Sequence, residues 1–112
     1  MERINIGGEE RPFNFSFIAI KAYCAEANIT LTEFLSNIKE VASIDNIDML
    51  LYAGLAGGAK GEQSFTRKDV IRWIDELGLN GLNIILPKIT GAFIASVISD
   101  EPKKETAPGP TS

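Results

Sequence analysis

The sequence has no histidine and a single cysteine, Cys24, among 112 residues. One cysteine closes no internal disulfide, and without histidine a zinc site loses its commonest nitrogen ligand. The same absences remove serine–histidine and cysteine–histidine catalysis. Neither a metal nor a cofactor is therefore expected. Basic side chains number 11 against 15 acidic ones, for a net charge of −4, and they form no run. This charge pattern lacks the positive footprint of a nucleic-acid binder and the polybasic patch that holds proteins on anionic membranes. The opening residues, MERINIGGEERPF, carry no apolar signal core, which points to the cytoplasm.

What is present is enough apolar material, 45% of residues, for one folded domain over residues 1–100. The longest apolar stretch is Leu79–Ile98, whose only charge is Lys88. On a helix, Leu82, Ile85, Leu86, Ile89, Phe93 and Val97 share one face, while Ile84, Ile94 and Ile98 extend apolar character beyond it. A helix apolar nearly all round must be covered by its own domain, a partner or a membrane. Lys88, Pro87, Asn80, Asn83, Thr90, Gly91 and Ser96, with the absence of an aromatic belt, argue against a membrane span. Leu82, Ile85, Ile89, Phe93 and Val97 are therefore the candidate partner-binding residues.

In chain order, Arg3–Ile6 and Arg11–Phe15 read as two strands, with Gly7-Gly8 supplying a tight turn and Pro12 marking an edge. A helix over Ser16–Ala27 follows, with Phe17, Ile20, Cys24 and Ala27 inward, Asn14 or Ser16 as cap and Asn28 as stop. Thr30 and Glu33 form a capping box for a second helix whose inner stripe is Leu31, Phe34, Leu35, Ile38 and Val41. Ser43 or Asp45 caps a third, with Ile47, Leu50, Leu51 and Leu55 inward and Gly54–Gly61 forming its end and a loop. Thr66 and Asp69 cap a fourth, in which Val70, Trp73, Ile74 and Leu77 face inward, Arg72 pairs with Asp75 or Glu76, and Gly78 is the stop. The fifth starts near Asn80, and Pro87 must kink or split it at Leu86. Residues 101–112, EPKKETAPGPTS, read as a disordered tail. The fold class is thus mainly α, an N-terminal β-hairpin followed by about five helices.

No motif for catalysis emerges. Lys60 lies in a glycine cluster but lacks the Gly-Lys-Ser/Thr order of a phosphate loop, so a helix end with nearby small residues that admit close packing explains the cluster. The carboxylate pairs Asp45/Asp48 and Asp75/Glu76 fall where capping and solvation account for them. Cys24 and Trp73 read as core residues.

The order of features, a hairpin RINIGGEERPFNF, an apolar helix FIAIKAYCAEAN, the capped ITLTEFLSNI, the small-residue helix DMLLYAGLAGGAK and TRKDVIRWIDE, resembles the tail assembly chaperones of long-tailed bacteriophages and prophages over Arg3–Glu76. The resemblance implies a non-enzymatic protein of the host cytoplasm. It would bind and solubilise the long helical tape-measure protein and help recruit tail-tube subunits to it. Such genes often yield a longer product by ribosomal frameshifting, and Pro102-Lys103-Lys104 is compatible with a slippery codon run. The second arrangement consistent with the sequence is a small tail or connector subunit that assembles with its own copies.

Overall fold

The structure, a computed structural model, describes residues 2–98, with side chains to Ser96. The tail 101–112 lies outside the described residues. The described chain is mainly helical, opening with an antiparallel hairpin of β1 (Glu2–Ile6) and β2 (Glu9–Phe13). Five α-helices follow: α1 (Phe17–Ala27), α2 (Leu31–Ser36), α3 (Ile38–Val41), α4 (Ile47–Gly58) and α5 (Arg67–Ile98), with a 3-10 turn at Ile44–Asn46 before α4.

Gly7 and Gly8, at φ of +64° and +84°, make a two-residue turn whose twist suits the two strands. This turn starts β2 at Glu9, earlier than the sequence suggested, and leaves Phe15 in the link to α1. The inner face of the hairpin presents Ile4, Ile6 and Phe13, all buried. Arg11 faces the same way, because it pairs with Ile4 in the ladder. Its guanidinium lies 4.3 Å from the Trp73 ring centre, and its Nε donates to the Ile6 carbonyl at 3.0 Å. The arginine is thus held by a ring face and backbone oxygens rather than left as an unpaired inward charge.

α4 is the centre of the molecule, with every residue but Asp48 buried. The sequence expectation ended this helix at Gly54; instead it runs on to Gly58, and the glycines are its packing face. A Cβ on Gly54 would stand 2.1 Å from the Phe13 ring, and one on Gly58 would stand 2.1 Å from the Pro12 carbonyl oxygen. The Asn14 amide donates to the Gly54 carbonyl at 3.0 Å, and a Cβ on Gly57 would stand 2.9 Å from the Ala19 methyl, so both the end of β2 and helix α1 ride on the small residues. The helix then stops in a Schellman turn, with Lys60 at φ +58° and the Gly61 amide bonded to the Ala56 carbonyl.

Both capping boxes form. The Thr30 amide donates to Glu33 Oε1 at 2.8 Å, and the Thr66 amide donates to Asp69 Oδ2 at 2.9 Å. Asn28 ends α1 in the left-handed conformation, as expected. Other local expectations are corrected. Ser16 sits at the α1 N-cap but its hydroxyl makes no cap bond, and Phe17 is exposed while Ala19 and Tyr23 turn inward. The helix expected over residues 31–41 breaks at Asn37, whose side chain donates to the Glu33 carbonyl at 2.9 Å, and Leu31 and Leu35 are left exposed. Arg72 pairs with Asp69, one turn back, at 3.0 Å.

Gly78, at φ 74° and ψ 175°, is the only residue of α5 with non-helical backbone angles among the described residues. It divides α5 into a first arm, 67–77, and a second, 79–98. The backbone stays helical through Pro87, contrary to the expected split. Pro87 and Asn83 are both exposed, so the hydrogen bond that the proline removes lies on the solvent side of the helix. The first arm is tied down by Arg67, 3.2 Å from Asp48 and 3.7 Å from Glu26, and by Trp73, which packs under the hairpin turn. At the far end of the second arm, Ser96 Oγ donates to the Phe15 carbonyl at 2.6 Å.

Candidate functional site

The 79–98 arm has two apolar faces. On the inner one, Ile85, Ile89 and Phe93 are buried and Leu82 and Leu86 pack against them at the edge of the core. Phe93 is 1% exposed; its ring meets Phe15 at 5.2 Å and Phe34 at 6.0 Å, both edge to face. Such geometry adds roughly 0.5–1.5 kcal/mol per pair to the burial itself. The candidate partner-binding residues named from the sequence are therefore brought together, but inward. Ile85, Ile89 and Phe93 are core, and Leu82 is half-covered. Ile85, Ile89 and Phe93 offer no free surface in this fold, because the face with the most regular apolar spacing is the face the domain itself uses. The side chain of Val97 lies outside the described residues.

The outer face carries Asn80, Ile84, Pro87, Gly91 and Ile94, all exposed, at four- and three-residue spacing. Ile84 is 69% exposed and Ile94 45%, and none of the five is charged. Nothing lies within 4 Å of where a Gly91 Cβ would stand, so the row is open at its middle. Leu79, 81% exposed, stands beside its start, and Lys88 flanks it. A straight helix can pack another along such a row, with the small middle residue allowing the axes to come close.

The segment Arg67–Ser96 also holds an 18-residue window apolar enough to cross a membrane by length and composition. Only 17% of that window is buried, so the core does not use up its apolar character. Ile84 and Ile94 were legible as excess apolar residues. Their membership of one row was not, because the row is completed by asparagine, proline and glycine. A search for a second heptad phase on the same helix would have found it.

The remaining features do not assemble chemistry. Among the described residues no three metal-ligating side chains converge. Asp48 is held by Arg67, and Asp69 caps α5. The Asp69 carboxyl lies below the ordinary carboxylate range, first because the Thr66 amide donates to it and then because Arg72 is alongside. Burial pushes the Cys24 thiol up, as it does the Tyr23 hydroxyl, which Asp48 raises further. A thiol shifted that way is a poor nucleophile. Compared with known proteins, the chain matches no family model, no curated protein and no solved structure.

Proposed function

We propose that this chain is a non-enzymatic binding protein that holds an apolar helix of a longer structural partner along the outer face of its 79–98 arm. In the setting its sequence order resembles, it is a phage tail assembly chaperone. It keeps the tape-measure protein soluble and helps bring tail-tube subunits to it in the host cytoplasm. The observation that carries the reading is the exposed, uncharged row Ile84–Pro87–Gly91–Ile94. Isolated apolar residues on a surface need no explanation, but a row of them along one helix marks a partner site. Helix-on-helix recognition uses anchors at this spacing and needs neither metal nor nucleophile.

Coexpression with a long helix-rich tape-measure protein tests it. The expected result is that the partner becomes soluble and copurifies with this chain, and that Ile84→Asp with Ile94→Asp abolishes both effects while the variant stays folded. A partner equally soluble without this chain sinks the reading. Light scattering on the purified chain alone supplies the other check: large rings or fibres, rather than monomers or small oligomers, would mean a self-assembling subunit.

A further inference from the structure

The two edges of the hairpin differ. Arg3 pairs with Pro12 in the ladder, and Pro12 has no amide to give. That fixes Arg3–Pro12 and Asn5–Glu10 as the non-hydrogen-bonded pairs, so the backbone groups of Arg3 and Asn5 point away from β2. On β2 the corresponding outward edge is covered by α4, with the Pro12 carbonyl against Gly58. On β1 the outward groups of Arg3 and Asn5 have no backbone partner among the described residues. An open edge of this kind is a template for a further strand.

Alongside that edge run two adjoining hollows of about 260 and 270 Å3, which share Asn5 and Leu77. Their floor is α5: Leu77, Gly81 and Ile84 at the Arg3 end, Trp73 at the turn end. The floor is apolar, so a strand laid there would bury alternate side chains while its backbone bonded to β1. The ends differ in charge. Lys88 stands at the Arg3 end and has no ion pair among the described residues, whereas Arg3 already meets Glu10 at 3.1 Å. At the turn end stands Glu76, beside Glu9, which already meets Arg11 at 3.3 Å.

We propose that the open edge of β1 binds an extended partner segment, antiparallel to β1. Its N-terminal end carries a basic residue beside Glu76, its C-terminal end an acidic residue beside Lys88, and apolar residues alternate between. This goes beyond the helix-holding role: it shares Ile84 with the outer row but uses the hairpin edge and backbone bonding, which Asn5→Pro removes without touching that row.

The probe is the capped peptide Lys-Val-Thr-Val-Thr-Val-Asp, titrated into the full chain and followed by amide hydrogen exchange. The expected result is saturable binding that slows exchange at Arg3 and Asn5 at least tenfold and leaves Ile4 and Ile6, already bonded to β2, unchanged. Because alternate peptide amides face the edge, N-methylating either the valines or the threonines should weaken binding at least tenfold, while the other set should not. Asn5→Pro should also weaken it at least tenfold, since that amide serves no hairpin bond. The charge-reversed peptide, Asp first and Lys last, should bind several-fold more weakly. The proposal is overturned by any of four results: no binding at millimolar peptide; equal binding of both N-methylated sets; equal binding of the charge-reversed peptide; or Arg3 and Asn5 amides already protected in the free chain, which would mean that the edge is filled by a second copy or by the rest of this chain.

Discussion

α4 and the 79–98 arm of α5 are the two most apolar helices of this protein, and they meet opposite fates. α4 is buried on every side. The arm, longer and equally poor in charge, is buried along one stripe only. The difference lies in side-chain size. Three glycines and two alanines let the backbone of Pro12–Asn14 lie directly on α4, closing the side that a helix of larger residues would keep open. The arm has Ile84 and Ile94 where it would need small residues facing a neighbour, and no neighbour is there among the described residues. Apolarity says that a surface prefers cover; the distribution of small residues says whether the chain can provide the cover itself.

The comparison can be broken at the core. Phe93→Ala should cost about 3–5 kcal/mol in urea unfolding, as for other large-to-small core changes. Ile94→Ala, its neighbour on the same turn, should cost less than about 0.5 kcal/mol. Near-equal costs would mean that the arm is not docked as described. On α4, Gly58→Ala should lose about 3 kcal/mol, because the new methyl meets the Pro12 backbone, which cannot swing aside as a side chain would. A neutral result would place the hairpin farther from α4.

The division of α5 is tested at Gly78. Its backbone angles belong to a region open essentially to glycine alone, so Gly78→Ala should cost about 1–3 kcal/mol although the site has room for a methyl. A stabilised variant would mean one continuous helix in solution. The smallest effect is expected at the α5 cap. The folded-state pKa of Asp69 is lowered, so its stabilisation is present above the unfolded-state value and fades as pH falls through the folded one. Asp69→Asn should therefore melt slightly below the wild type at neutral pH, and the gap should close in acid. A gap that persists at low pH would assign the effect to something other than the carboxylate.

Much of the fold was legible. The Gly7-Gly8 turn, the Asn28 stop and both threonine capping boxes are local signals, decided by backbone geometry and near neighbours, and they form where the sequence places them. What was not legible depends on distant partners. Nothing local says that Gly54–Gly58 continues a helix; Phe13 and Pro12, forty residues earlier, make the glycines useful there. At Asn37 the break has a local element, since its side chain takes the Glu33 carbonyl that the helix would otherwise use, but the exposure of Leu31 and Leu35 was not legible, because both fit an inward stripe. The candidate partner-binding residues pose the same problem. Periodicity located an apolar face at Leu82, Ile85, Ile89 and Phe93, but it could not tell a face the domain uses from one it leaves open. The open face was the less regular of the two.

The central claim is that the inner stripe of 79–98 builds the domain while the outer row meets the partner. Its most direct test is one paired measurement on Ile84→Asp/Ile94→Asp, thermal unfolding of the free variant and copurification with the coexpressed helix-rich partner. The account predicts an unfolding midpoint close to that of the wild type and complete loss of the partner. A folded variant that still brings the partner down, or a variant that unfolds, would contradict it.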